Sequence, residues 1–497
     1  MMFRVRISAA VLLIPAMSML LSTETFGEDW PHFRGPNSAG IATESRPLPA
    51  EFSAEKNVRW SKKLGDGIGC PVVAAGRVFT SAMVDDKTIG LYGFDAATGT
   101  QLWMRKWPIG DIAPVHKTNS HAATTPAADA ERVYFYFATL GMVALDAKTG
   151  VDVWHKSLPV PYFVFKWGAG MSPVLYKELV LFVQDDDLTP AFYAFDKRTG
   201  KLRWKDDRND MAVNYSHPVI CRTEHGDEIV VAGTGLLVGY DPASGKRLWS
   251  AKTLLRNIKT TPVVNDGVIY ISLQSGGIAN QWLASVDRAD TGNSDGKLTK
   301  EEVQAFVGER RVPEAFFRKT FDKGDANGDG VLEGAELDAA FLHPDNFAGA
   351  SFDAADAGAQ FILAVRGGGR GDVTATHVLW KHSTKHTDHI VSPLVSDGRM
   401  LLIKGGGIAT CFDTKAGARL YGPVRIQNAG DYFASPVLVD GKIYIAGENG
   451  NVVVLRNSAE LDILSVNDVG SAVLGTPAVA DGIIYFRTRD GLLAVGF

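Results

Sequence analysis

Phe94-Asp95-Ala96-Ala97-Thr98-Gly99-Thr100-Gln101-Leu102-Trp103 is the stretch that decides the fold, because it returns at regular intervals. Asp146–Trp154, Asp196–Trp204 and Asp241–Trp249 keep its Asp, its Thr or Ser, its Gly and its Trp, and Asp413–Tyr421 keeps a weaker form. Within each copy the Asp side chain can cap a turn, and the Gly accepts the left-handed backbone that other residues resist. The Trp then falls on an outer strand, where it can pack between neighbouring sheets. A carboxylate needed in every copy is architecture, so these Asp residues are read as turn caps and not as catalytic acids.

Working outward, each copy belongs to a longer unit that opens on a small residue followed by Pro. The eight prolines are Pro71, Pro126, Pro173, Pro218, Pro262, Pro393, Pro436 and Pro477. They lie 41–55 residues apart, except for one interval of 131 after Pro262. Asp266-Gly267, Asp397-Gly398, Asp440-Gly441 and Asp481-Gly482 sit between alternating apolar runs, a strong hairpin signal. Each unit therefore reads as a four-stranded antiparallel sheet, and eight such units predict an all-β, eight-bladed β-propeller. The last unit ends at Phe497 after its third strand, and Asn57-Val58-Arg59-Trp60 supplies the missing outer strand from the other end. Pairing the two ends closes the ring and removes free sheet edges.

The long interval interrupts the fifth blade between Val268–Leu273 and Gln360–Val365. Inside it, Asp325-Ala326-Asn327-Gly328-Asp329-Gly330-Val331-Leu332-Glu333-Gly334-Ala335-Glu336 is a twelve-residue calcium loop. Calcium takes roughly six to eight oxygens, and this spacing gathers them from Asp325, Asn327, Asp329, the Val331 carbonyl, Glu333 and Glu336, with Gly330 at the sharp turn. Amphipathic segments at Gln281–Arg288, Lys300–Val307, Pro313–Phe321 and Ala335–Phe341 predict four helices around two loops. The first loop departs from the pattern. Thr291, Asn293, Asp295 and Glu302 fall at its first, third, fifth and twelfth positions, while the expected leading acid, Asp290, lies one residue too early. The expected organisation is a signal peptide over 1–27, a strap over 28–56, propeller over 57–277 and 359–497, and a helical insertion over 278–358.

Residues 1–27 have the form of a secretory signal. Arg4 and Arg6 precede an apolar stretch shorter than the ~20 residues of a membrane span, and Thr25-Phe26-Gly27 offers a cleavage site. The expectation is an exported protein, periplasmic or extracellular, and not an integral membrane protein. With 51 Lys and Arg against 56 Asp and Glu, and no basic tract, nucleic acid is excluded as a partner. Cys70, Cys221 and Cys411 are too dispersed for a disulfide framework or a thiol metal site.

The repeat with its Asp-x-x-Thr-Gly-x-x-x-Trp turn resembles the pyrroloquinoline quinone (PQQ)-type propellers, which include quinoprotein alcohol dehydrogenases and the eight-bladed lipoprotein of outer-membrane assembly. Asp29-Trp30-Pro31-His32-Phe33-Arg34-Gly35-Pro36-Asn37 looks like the opening of a large group of exported bacterial proteins with PQQ-like repeats. The insertion resembles EF-hand pairs. The quinoprotein dehydrogenases carry an adjacent cysteine pair beside the cofactor, and no two cysteines are neighbours here. Calcium is thus the cofactor this sequence supports, PQQ is disfavoured, and no catalytic residue is assigned.

Loops leading into the innermost strands converge on one mouth of the propeller. They carry Asn119, His121, Trp167, Asn214, Tyr215, Lys259, His386, Asp388, His389, Asp431 and Tyr432. The loop from His382 to His389 is read as a solvated polar loop with histidines bonded to backbone, the alternative being a metal or acid–base cluster. Pro161–Trp167 is the most aromatic stretch, expected mainly to pack between blades. The functional expectation is a non-catalytic binding or assembly scaffold for a protein or surface polymer. The alternative is a PQQ-dependent oxidoreductase using the channel.

Overall fold

The Asp-Gly pairs turn as their sequence requires: Asp266 and Gly267 have φ of 49° and 73°, and the pairs at 397, 440 and 481 repeat this. Both central residues with positive φ make the tight hairpin that matches strand twist. In the computed structural model these hairpins belong to eight blades of four antiparallel strands each, the fourth blade carrying one further short strand, arranged as a propeller. The structure describes residues 29–497 except 44–45, 114, 212, 254–258, 275–281, 342–359, 389 and 428–429. The signal segment 1–27, Gln281, both borders of the insertion and His389 therefore lie outside the described residues.

The ring closes as expected. Val58–Lys63 pairs with Gly491–Gly496, so the eighth blade takes its outer strand from the front of the chain. The fifth blade is assembled across the insertion from Val263–Asn265, Val268–Gln274, Gln360–Arg366 and Val378–Ser383.

Two sets of contacts bind blade to blade. On the outside, each Trp docks on the Asp-x-x-Thr-Gly turn of the following blade. Asp95 Oδ1 accepts from the Thr98 amide at 2.8 Å and from its hydroxyl at 2.7 Å. Trp60 Nε1 donates to the Ala96 carbonyl in that turn at 2.9 Å. Gly99 has φ +69°, and a Cβ there would meet the Trp60 ring at 2.5 Å, so glycine is required twice over. Trp103, Trp154, Trp204 and Trp380 repeat the bond to the next blade at 2.9–3.0 Å. Truncating one of them would cost about 3–5 kcal/mol.

Trp249 breaks the series. The fifth blade replaces its turn with residues 367–377, where Gly371–Asp372 adds a short parallel strand beside Trp249. Trp249 Nε1 donates instead to buried Glu228 at 2.8 Å, whose carboxylate also takes the Gly368 amide and Arg370.

Along the channel, the residue before each proline makes the second set. The amides of Cys70, Thr125, Thr261, Ser392, Ser435 and Thr476 donate in turn to Thr125, Ser172, Ser392, Ser435, Thr476 and Cys70 side chains at 2.9–3.1 Å. This belt explains why the residue before proline is small in seven of the eight units, His217 being the exception: it bonds across to the next blade. Residues 29–42 cross one end of the channel. Trp30 bridges Val73, the Pro31 carbonyl takes the Ala128 amide, Asn37 pairs with the Ile220 backbone and Gly40 accepts from Leu438.

The insertion departs from the expected helices in detail. The segment read as Gln281–Arg288 is a π-helical turn over Leu283–Asp287. The segment read as Pro313–Phe321 divides into Glu314–Lys319 and Phe321–Gly324, with Pro313 extended ahead of the first. The break falls at Thr320, whose hydroxyl donates to the Phe316 carbonyl at 2.7 Å and pulls the backbone out of register. Lys300–Val307 and Ala335–Phe341 fall as expected.

Candidate functional site

The helical module is built on a paired core. Leu298–Thr299 and Val331–Leu332 form a two-stranded antiparallel bridge, with Leu298 opposite Leu332. That bridge fixes the relative register of the two loops. Phe316, Phe317, Phe321, Val303 and Leu337 close around it, all buried.

In the second loop the Asp325 carboxylate turns inward. It accepts the amides of Gly328 at 2.8 Å, Asp329 at 3.2 Å and Gly330 at 2.9 Å. Glu336 folds back over the loop, its Oε1 accepting the Ala326 amide at 3.0 Å, while its Oε2 is buried with no partner. A buried carboxylate oxygen without a donor is costly, and a hard cation at the loop centre would satisfy it. The residues therefore fit calcium. Glu333 is committed elsewhere, as it pairs with Lys297 of the first loop.

The first loop reaches the same arrangement by another route. Asp290 is exposed, one residue before the position where the spacing needs an acid. Asp287, fully buried, takes that place: its Oδ1 accepts the Asp295 amide at 3.0 Å and its Oδ2 the Gly296 amide at 3.1 Å. These are the counterparts of the Asp329 and Gly330 amides on Asp325. Glu302 caps its own helix through Oε2, and its Oε1 is buried without a partner, as in Glu336. Sequence spacing missed Asp287 because the chain loops out between it and Asn293. Gly292 marks that detour: a Cβ there would lie 2.0 Å from the Asp287 carbonyl oxygen.

The module stands on the aromatic stretch 161–167. Tyr162 and Val164 belong to the module's core, and Phe165 packs against Trp282 with ring centres 4.8 Å apart. The propeller holds this seat from below. Asp186 accepts the Tyr162 amide at 2.9 Å and Asp187 the Val164 amide at 3.0 Å. Burial raises the Asp186 carboxyl above the usual carboxylate range. Lys166 Nζ donates to the Phe306 carbonyl at 3.1 Å, and the next residue, Trp167, turns into the channel. One short segment thus joins the helical module to the channel wall.

The channel holds a cavity of about 420 Å³ lined by Phe33, Trp167, Tyr215, His217, Lys259 and the pre-proline belt among others. Lys259 Nζ lies 4.9 Å from the centre of the Trp167 ring, and burial pushes its ammonium down to about 8. At the floor Phe33 stacks on His217 with ring centres 4.3 Å apart. Burial lowers His217 to about 3 and the neighbouring His32 to about 4, so both are neutral at pH 7.

The family model described as outer membrane protein assembly factor BamB matches residues 42–162, 165–317 and 376–495. The chain belongs to this family. An EF hand model matches residues 317–342. No curated protein matches the chain. Among solved structures, BamB from Moraxella catarrhalis is 13% identical with a TM-score of 0.51, over 88% of this chain and 96% of that one. The computationally designed Ika8 protein is 11% identical with a TM-score of 0.52, over 89% and 100%. Quinohemoprotein alcohol dehydrogenase from Comamonas testosteroni gives 13%, 0.49, 94% and 80%. At these identities the likeness is one of fold.

Within this BamB-family propeller the mouth residues divide. Asn119, Trp167, Tyr215 and Lys259 line the cavity, whereas Asn214 is buried on Asp185 and the Met211 carbonyl. His382 bonds to the Ala416 carbonyl at 2.8 Å and stacks on Trp380, and Asp388 accepts the amides of Ile390, Val391 and Gly405. No group of three or more His, Cys, Asp or Glu side chains gathered to hold a metal ion occurs among the described residues, the two loops included. Cys70, Cys221 and Cys411 are buried on different blades, and none of them is in a disulfide. No helix among the described residues is long and apolar enough to cross a membrane.

Proposed function

We propose that this chain is an exported, calcium-binding propeller that acts as a non-catalytic binding and assembly scaffold, with the channel mouth as its docking site. The observation that carries the reading is the shared core of Tyr162, Val164, Phe316 and Leu332, which ties the EF-hand pair to the segment that also shapes the channel wall. Calcium in the second loop would be held by Asp325, Asn327, Asp329, the Val331 carbonyl and Glu336. In the first loop Asp287, Asn293, Asp295 and Glu302 would hold it. Bound there, it would cancel the buried carboxylate charge and brace the two loops against the 161–167 seat. Calcium outside the cytoplasm varies little, so the device suits a permanent brace more than a signal. The family description, an assembly factor, supports a protein partner, and the signal-like residues 1–27 support export to the periplasm or beyond. A titration of the purified chain with PQQ in excess calcium, followed by cofactor absorbance, tests the reading. The expected result is no alcohol-dependent reduction of the quinone; one-to-one binding with such reduction would replace the scaffold with an oxidoreductase.

A further inference from the structure

We propose that the channel cavity binds the carboxylate of a ligand with an apolar body, and that Lys259 is its ion-pair partner. This rests on the reading of the channel mouth as a docking site and adds the chemical class that docks.

The charge distribution is the first argument. Acidic residues outnumber basic ones in this chain, 56 to 51, yet no Asp or Glu lines the cavity among the described residues. Its titratable lining is Lys259, His116, His217, Tyr215 and Cys70. Asp388 is the carboxylate that acts on Lys259, and its oxygens are already held by the amides of Ile390, Val391 and Gly405. What contacts the ammonium is the face of Trp167. Beyond the ring face, the ammonium opens onto the cavity, where the acceptor oxygen of a ligand can reach its N–H groups.

The floor adds a second, independent observation. Arg34 is fully buried beside Phe33. Its Nη2 donates to the carbonyls of Ala39 and Pro393, while Nε and Nη1 have no partner. No carboxylate stands opposite that guanidinium among the described residues. Arg34 is not itself a lining residue of the cavity, but its positive charge acts on His217, which is. Above it, the side chains of Thr125, Ser172, Ser435 and Thr476 each accept a backbone amide. An oxygen engaged in this way keeps its own O–H to donate, so the belt offers donors and an anion supplies acceptors.

The apolar part of the ligand follows from the rest of the wall. Phe33, Ile68, Phe433 and Leu474 present hydrocarbon, and about 420 Å³ is ample for a bicyclic ring or two peptide residues. A carboxylate on such a body could belong to a small aromatic acid or to the C-terminus of a peptide.

The test uses the full mature chain in calcium, with isothermal titration of naphthoate against naphthamide, and of a short Phe-terminated peptide as free acid against its C-terminal amide. Acid binding about tenfold or more tighter than amide in either pair supports the site and identifies the source. Lys259→Gln should weaken the acid by about tenfold to a hundredfold and leave the amide unchanged, with Lys259→Arg restoring most of it. Equal binding of acid and amide overturns the ion pair while leaving the channel a docking site. Binding of neither probe overturns the inference, and the calcium brace is then judged separately by hydrogen exchange of residues 161–167 in calcium and in chelator.

Discussion

The two loops of the helical module end in the same geometry from different spacings. In the second, the leading carboxylate of Asp325 lies five residues before Gly330, whose amide it accepts at 2.9 Å. In the first, Asp287 lies nine residues before Gly296 and accepts that amide at 3.1 Å. The chain between Asp287 and Asn293 bulges out, yet the carboxylate returns to the same amides. The lesson is that the loop is defined by what its backbone N–H groups require and by the Leu298–Leu332 bridge that sets the register. A count of residues along the chain is a proxy for that arrangement, and it fails where an insertion leaves the arrangement intact.

The strongest way to break this equivalence is Glu336→Gln in the regular loop. The substitution keeps the shape but removes the carboxylate charge and one of its two ligating oxygens, and it should abolish most of the calcium-dependent stabilisation. At calcium a hundredfold above the dissociation constant that stabilisation is about 3 kcal/mol, read as the difference in melting temperature between calcium and chelator. An unchanged calcium response would mean that the second loop does not carry the ion.

Asp287→Asn and Asp290→Asn sharpen the comparison at the irregular loop. The first should reduce the calcium stoichiometry from two to one in a titration, and the second should leave it at two. The reverse pattern would restore the acid that simple spacing selects. The smallest effect is expected from Lys297→Met, which releases Glu333 from its partner. Both side chains are about half exposed, so the pair is worth about 1 kcal/mol or less, and calcium affinity should move only a few-fold.

Much of the propeller was legible because its signals repeat. One Asp-x-x-Thr-Gly turn is a weak hint, but several at a fixed period with matching Pro and Asp-Gly positions leave one architecture. Closure was legible from Trp60, which carried the outer-strand pattern with no sheet of its own. The site was legible only in part. Asp325 and Glu336 stood in a known spacing, whereas Asp287 was hidden by the bulge. The run Asp185-Asp186-Asp187 looks like a solvated acidic loop, yet all three are buried: one grips Arg208, and two hold the amides under the module. Nothing local in the sequence distinguishes those fates. The fate of Tyr162 depended equally on contacts far along the chain, with Phe316 lying 6.0 Å away ring to ring. Arg34 was visible within a recognisable opening, but its buried and half-unpartnered state needed the folded channel.

The central claim is that the calcium module braces the channel wall through residues 161–167. Hydrogen exchange of that segment, compared in calcium and in chelator, tests it most directly. Chelation is expected to speed exchange at the amides of Tyr162, Val164 and Lys166 while the belt amides of Ser392 and Ser435 stay protected. Unchanged exchange at 161–167, with calcium loss proven at the loops, would contradict it and leave the module an appendage with no hold on the channel.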